Sequence, residues 1–121
     1  MKILGIDWGE KRIGLAFSGG TLAAPYGIVG SFDEVVDVTK REHIEKIVLG
    51  LPEGKHAAKV KEWGRKLEEV LGIPVILRSE ILTTRQALEK ALEAGKPRKS
   101  RRNLDAFSAS LILQEYLDQA S

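Results

Sequence analysis

KILGIDWGEKRIGLAF, residues 2–17, predicts two apolar β-strands joined by a turn that carries an acid. The unbroken apolar run from Ile3 to Ile6 is typical of a strand that is buried on both faces. Gly9 permits a sharp turn, and residues 13–17 resume the apolar pattern as a second strand. Asp7 stands where the first strand ends. A carboxylate in that place costs free energy unless its charge is compensated, so Asp7 is either a turn residue or a functional group.

The composition is that of an ordinary folded protein. The chain has 121 residues, of which 43% are hydrophobic and 30% charged, so we expect one domain over residues 1–121. It contains no cysteine, which excludes disulfides, thiolate metal sites and a cysteine nucleophile. The uncharged stretch at residues 13–32 holds five glycines and Pro25, which argues against a membrane span. We therefore expect a soluble, cytoplasmic protein with no membrane partner.

The rest of the chain alternates between strand and helix patterns. Further strands are predicted at residues 23–29, 46–51 and 74–77, and helices at residues 32–41, 57–71, 83–94 and 103–119. The first three strands are joined by short turns and should form an antiparallel meander. The later strands are separated by a helix, as in a strand–helix–strand unit. The predicted fold class is α/β, a mixed sheet covered by helices.

Three acids are candidates for a catalytic site. Asp7 and Glu80 follow predicted strands, and ligand sites gather at the carboxyl ends of parallel strands. Asp105 lies in the first turn of the predicted last helix. Taken singly, Glu80 is explained as a solvated loop residue and Asp105 as a charge that compensates the helix dipole. Taken together, three carboxylates form an all-oxygen set that suits Mg²⁺ or Mn²⁺, and two such ions can activate water and stabilise the leaving oxygen in phosphodiester cleavage.

A run of positive charge precedes the third acid. Residues 96–102, KPRKSRR, contain five basic side chains in seven positions and are predicted to form a loop. The members within seven residues of Asp105 are Arg98, Lys99, Arg101 and Arg102. Such a loop is often only a solvated segment, but beside a catalytic acid it favours contact with a nucleic-acid backbone. His56, which follows the Pro52–Gly54 loop, is a secondary candidate for the same edge of the sheet.

Four segments, in order along the chain, resemble one protein family. DWGEKRIG at residues 7–14 resembles the DxGxKRIG signature of the YqgF family, the RuvC-like Holliday junction resolvases that are also described as pre-16S rRNA nucleases. IVLGLP at residues 47–52 resembles the family's IVVGLP strand, and residues 80–84 resemble its DERLTT segment. Residues 104–117 resemble its final helix. The resemblance implies an RNase H-like fold, with a five-stranded mixed sheet flanked by helices.

The resemblance also implies roles for particular residues. It places a metal-dependent nuclease site of three acids at Asp7, Glu80 and Asp105, the same three acids that the strand and helix pattern singles out. It places Lys11 and Arg12 on the family's basic pair, which either contacts the substrate or braces the turn.

The chain departs from the family pattern next to the second acid. Where the family has Asp-Glu-Arg, this chain has Ser79, Glu80 and Ile81, so one acid and one guanidinium are lost. An arginine can stabilise the charge that develops in phosphoryl transfer, so its loss is expected to weaken or redirect catalysis.

The leading hypothesis is an endonuclease that requires Mg²⁺ or Mn²⁺ and acts on structured RNA, in 5′-end processing of pre-16S rRNA during ribosome biogenesis. One alternative is a Holliday junction resolvase that acts on branched DNA in recombination and repair. Because paired cuts need two sites, that alternative favours a homodimer over a monomer. Another alternative is an RNA-binding module that has lost catalysis. An actin-like ATPase or sugar kinase is disfavoured, since those enzymes close two domains over the nucleotide.

Overall fold

The computed structural model describes residues 1–52, 54–79 and 99–120, with side chains from 106 to 119 in the last range. The strands are β1 (Ile3–Asp7), β2 (Ile13–Ser18), β3 (Ala23–Val29), β4 (Lys46–Leu51) and β5 (Val75–Ser79). The helices are α1 (Phe32–Arg41), α2 (Ala57–Leu71) and α3 (Lys99–Ala120), and one 3₁₀ turn, Gly54–His56, leads into α2. No helix in these ranges is long and apolar enough to cross a membrane.

The five strands form one mixed sheet in the order β3-β2-β1-β4-β5. β1, β2 and β3 pair antiparallel, whereas β4 pairs parallel with both β1 and β5. In the register, Asp7 pairs with Gly50, and Gly50 pairs with Arg78. The carboxyl ends of β1, β4 and β5 therefore lie together on one side of the sheet, which we call the carboxyl edge. The predicted meander followed by parallel strands is confirmed.

The two faces of the sheet carry two separate hydrophobic clusters. Leu4 and Ile6 of β1 point to the face that α1 and α2 cover, where they pack with Leu49. Ile3 points to the other face and packs with α3, through Leu113 and its neighbours. This division follows from the strand geometry, because successive side chains of a strand point to opposite faces. Both faces of β1 are buried, as its apolar run predicts.

Local sequence signals explain where α1 and α2 begin and end. Ser31 caps α1, with its Oγ accepting from the backbone N of Glu34 at 3.2 Å. The carboxylate of Glu34 in turn accepts from the backbone N of Gly30 at 3.0 Å, so the start of α1 is tied to the end of β3. α2 ends at Gly72, whose φ of 68° is in the left-handed region that favours glycine.

The start of α3 differs from the position predicted from the sequence. The helix begins at Lys99 rather than Asn103, so Lys99 to Arg102 belong to its first turn and not to a loop. Lysine and arginine are good helix formers, and the prediction missed them because they extend no apolar stripe. Asp105 therefore lies in the second turn, not the first. The dipole explanation for Asp105 weakens accordingly, since that effect falls off within the first turn.

Two other predicted features differ or lie elsewhere. The strand predicted at residues 74–77 is observed as Val75–Ser79, so it continues to the residue before Glu80. The helix predicted at residues 83–94 lies outside the described residues.

Candidate active site

Asp7 is the last residue of β1 and lies at the carboxyl edge, half-buried. Strand alternation puts it on the same face as Ile3 and Gly5, which is the face that α3 covers. Its neighbours in register are Gly14 of β2 and Gly50 of β4. Because both flanking strands present glycine at this level, the Asp7 carboxylate has no side chain beside it in register on β2 or β4.

The amino-terminal part of α3 points toward the carboxyl edge. At the opposite end of β4, Lys46 donates from Nζ to the hydroxyl of Tyr116 at 3.1 Å. Nearer the carboxyl edge, a Cβ atom at Gly50 would lie 2.6 Å from Cδ1 of Ile112. Residue numbers along α3 thus fall as those along β4 rise, so the helix runs antiparallel to β1 and β4.

The contact between β1 and α3 fixes the level of position 105. A Cβ atom at Gly5 would lie 3.0 Å from the carbonyl oxygen of Ala109 and 2.7 Å from Cβ of Leu113. From Gly5, Asp7 is two residues along the strand, or about 6.6 Å. From Ala109, Asp105 is four residues back along the helix, or about 6 Å in the same direction. The backbone at position 105 is therefore carried to about the level of Asp7.

The other predicted site residues are described only in part. Glu80 follows β5 directly but, like Arg98, lies outside the described residues. Lys99, Arg101 and Arg102 occupy the first turn of α3. Among the side chains that the structure describes, no group of three His, Asp or Glu residues could hold a metal ion. Of the three predicted acids, only Asp7 has a side chain among those described.

The turn between β1 and β2 carries the predicted basic pair to the carboxyl edge. A Cβ atom at Gly9 would lie 2.5 Å from the carbonyl oxygen of Arg12, so this turn closes only with glycine there. Lys11 and Arg12 are exposed, and both line a surface cavity of about 270 Å³. Glu34, at the start of α1, lines the same cavity. The pair is thus held at the start of β2, next to Asp7 in the chain.

A cluster that sequence reasoning largely missed joins this turn to the start of α2. Lys59 Nζ lies 5.5 Å from the ring centroid of Trp8 and 3.9 Å from Oε1 of Glu10. Nδ1 of His56 lies 3.7 Å from the same carboxylate oxygen, and its ring is 6.3 Å from that of Trp8. His56 lies at the carboxyl edge, where its contacts are to Glu10 and to Trp8 rather than to Asp7. The signal for Trp8 was available in the sequence, as a large aromatic residue directly after a candidate catalytic acid.

A five-stranded mixed sheet in this order, flanked by helices on both faces, is the RNase H-like fold. The structure of Thermus thermophilus RuvC bound to a Holliday junction substrate shares the fold. It superposes with a TM-score of 0.62 at 19% identity, covering 100% of this chain and 97% of the other.

The chain belongs to the RuvX Holliday junction resolvase family, whose model matches residues 1–119. A relative from Syntrophus aciditrophicus, named "Putative pre-16S rRNA nuclease", is 40% identical over 100% of this chain and 91% of its own length. A relative of the same name from Caldanaerobacter subterraneus subsp. tengcongensis is 38% identical over 98% of this chain and 96% of its own. The chain is thus a member of a nuclease family, and the resemblance seen in its four motifs is confirmed.

Proposed function

We propose that this protein is a cytoplasmic endonuclease that requires Mg²⁺ or Mn²⁺ and cleaves precursor 16S rRNA at its 5′ end. The observation that carries the proposal is the stagger between β1 and α3, which brings position 105 to about the level of Asp7. This backbone arrangement supports the proposal that two acids far apart in sequence share one edge of the sheet. The names of the full-length relatives support rRNA as the substrate.

The proposed site comprises Asp7, Glu80 and Asp105. Glu80 follows β5, whose last residue, Ser79, pairs with Leu51 at the carboxyl edge. A set of carboxylate oxygens fits the hard cations Mg²⁺ and Mn²⁺ and gives no soft ligand that would favour other metals. When bound, the cations would supply positive charge that activates the attacking water and stabilises the leaving oxygen.

The basic residues would hold the substrate backbone. Lys11 and Arg12 lie on the β1–β2 turn, at the same edge as Asp7. In the first turn of α3, Lys99, Arg101 and Arg102 precede Asp105 on a helix whose amino end is aimed at that edge. The position of these basic residues in the turn and in the first turn of the helix supports the proposal that they bind phosphate at this edge.

The experiment is cleavage of end-labelled precursor 16S rRNA by the wild type and by Asp7→Asn, Glu80→Gln and Asp105→Asn, with and without Mg²⁺. The wild type should cut near the mature 5′ end only with the cation, and each variant should lose cutting. Asp37→Asn is the matched control, because Asp37 is an exposed acid in the middle of α1. Equal cutting by the wild type and Asp7→Asn rejects the proposal.

A Holliday junction is a second candidate substrate, favoured by the full-length superposition on a RuvC in complex with a Holliday junction substrate. Paired cuts of a four-way junction need two active sites and hence a homodimer. Symmetrical cleavage of four-way DNA by a dimer, with no cutting of precursor rRNA, would establish this candidate instead.

The third candidate is an RNA-binding module with weakened catalysis. Its basis is the pair Ser79 and Ile81, which flank Glu80 in place of an acid and an arginine. This candidate requires salt-sensitive binding of the precursor with no turnover in Mg²⁺ or Mn²⁺.

A further inference from the structure

Trp8 follows Asp7 directly but belongs to the other face of the sheet. Asp7 is in line with Gly5, on the face that α3 covers. Trp8 is half-buried and packs against the cluster beneath α1 and α2. The carboxyl edge of β1 therefore has a carboxylate on one side and an indole ring on the other, one residue apart.

The indole ring has cationic and aromatic neighbours rather than a closed apolar pocket. Lys59 and His56, both at the start of α2, stand 5.5 Å and 6.3 Å from the Trp8 ring centroid. Their side chains are 63% and 42% exposed, so solvent reaches this side of the turn. The carboxylate of Glu10 lies near both side chains.

The cluster is poorly explained as a device for stability. Its contacts to Glu10, at 3.7 Å and 3.9 Å, are long and involve side chains that are largely exposed. Ion pairs of that kind contribute little to the free energy of unfolding. A half-buried aromatic ring beside an exposed lysine is, however, an arrangement with which proteins bind unpaired nucleotides, through base stacking and a nearby phosphate contact.

We propose that Trp8, with Lys59 and His56, forms a stacking subsite for one unpaired nucleobase of the RNA substrate. The inference rests on the proposed nuclease function and adds the form of the substrate to it. A single strand that crosses the carboxyl edge would present a phosphate at Asp7 and an adjacent base at Trp8. Bases inside a duplex stack on one another and cannot stack on the Trp8 ring. The subsite therefore selects single-stranded RNA at the cleavage point.

The first test uses Trp8 as its own reporter. The chain has two tryptophans, and Trp63→Phe leaves Trp8 as the only one. Asp7→Asn is added to prevent cutting. A short single-stranded RNA oligonucleotide should then quench the fluorescence of Trp8, and the quenching should reach a plateau as the RNA concentration rises. The same oligonucleotide annealed to its complement should leave it unchanged. No quenching by the single strand, or equal quenching by the duplex, overturns the proposal.

The second test measures affinity in the Asp7→Asn background. Trp8→Leu should weaken binding of the single strand by roughly tenfold, whereas Trp8→Phe should retain most of it. Trp63→Leu is the matched control, because Trp63 is also half-buried but packs against Phe32, with ring centroids 5.6 Å apart. Equal affinity for Trp8→Leu and Trp8→Phe overturns the subsite. If Trp8→Leu does not fold, the quenching experiment decides.

The two proposals fail in different ways. Both binding tests are made without catalysis, so their results do not depend on cleavage. If single-stranded RNA quenches Trp8 fluorescence but the wild-type protein cuts no precursor rRNA, the nuclease proposal is rejected and the stacking subsite stands. Cation-dependent cutting without any effect at Trp8 does the reverse.

Discussion

Gly5 of β1 lies so close to Leu113 of α3 that a Cβ atom at position 5 would be 2.7 Å from Cβ of Leu113. This contact, with that between Gly50 and Ile112, sets the position of α3 along the sheet, including that of residue 105. We expect Gly5→Ala to lower the free energy of unfolding by about 1–3 kcal/mol through overpacking, and to reduce RNA cleavage as α3 is pushed from the sheet. Urea unfolding and the cleavage assay measure the two effects.

Gly27→Ala is the matched control for this substitution. Gly27 is also in the sheet, on β3, but a Cβ atom there would meet nothing within 4 Å. Its unfolding free energy should stay close to that of the wild type. Equal effects of the two substitutions would show that close packing at Gly5 is not the cause.

Gly9, in the β1–β2 turn, should tolerate a side chain as poorly as Gly5 does. At Gly9, a Cβ atom would lie 2.5 Å from the backbone oxygen of Arg12, which has no flexible end that could give way. Gly9→Ala is expected to displace Lys11 and Arg12 and to lower the cleavage rate by roughly tenfold to hundredfold. Gly19→Ala, where a Cβ atom meets nothing within 4 Å, should leave the rate unchanged. Equal cleavage rates for the two variants, measured at RNA concentrations below KM, would contradict this explanation.

Cation binding should be visible in thermal stability without any substrate. If the proposed site binds Mg²⁺ or Mn²⁺ only when folded, each cation should raise the melting temperature of the wild type in proportion to the logarithm of its concentration. Asp7→Asn should lose this response. An unchanged response to the cation in Asp7→Asn would place the metal elsewhere.

The basic pair on the turn should set the salt dependence of RNA binding. Replacing Lys11 and Arg12 by glutamine should reduce the slope of log affinity against log salt by about 0.7 for each lost contact to single-stranded phosphate. The slope is measured by titrating the Asp7→Asn protein with labelled RNA at several salt concentrations. Lys40→Gln is the control, because Lys40 is exposed in the last turn of α1, which leads to the opposite edge of the sheet. The Asp7→Asn protein is compared with the same protein carrying either the Lys11 and Arg12 replacements or Lys40→Gln. Equal slopes in all three would show that the basic pair only braces the turn.

Local patterns in the sequence predicted most of the secondary structure. The bounds of β3, β4, α1 and α2 were predicted as the structure has them. These elements begin and end at signals that act within a few residues, such as the cap at Ser31 and the left-handed Gly72. The start of α3 was wrong, because a helix turn made of Lys and Arg has no apolar stripe to reveal it.

The sequence by itself determined the strand pattern, the acid at the end of β1 and, through its motifs, the family. Only the tertiary structure decided that α3 runs antiparallel to β1 at a level fixed by Gly5, and that Lys59 and His56 stand beside Trp8. The physical reason is distance along the chain. Strand and helix patterns act between near neighbours, whereas these contacts join residues that meet only after the sheet has formed and the helices have packed on its two faces. The convergence of Asp7, Glu80 and Asp105 is likewise a matter of tertiary contact between distant residues, and it stays a prediction that the melting response to Mg²⁺ of Asp7→Asn, Glu80→Gln and Asp105→Asn tests.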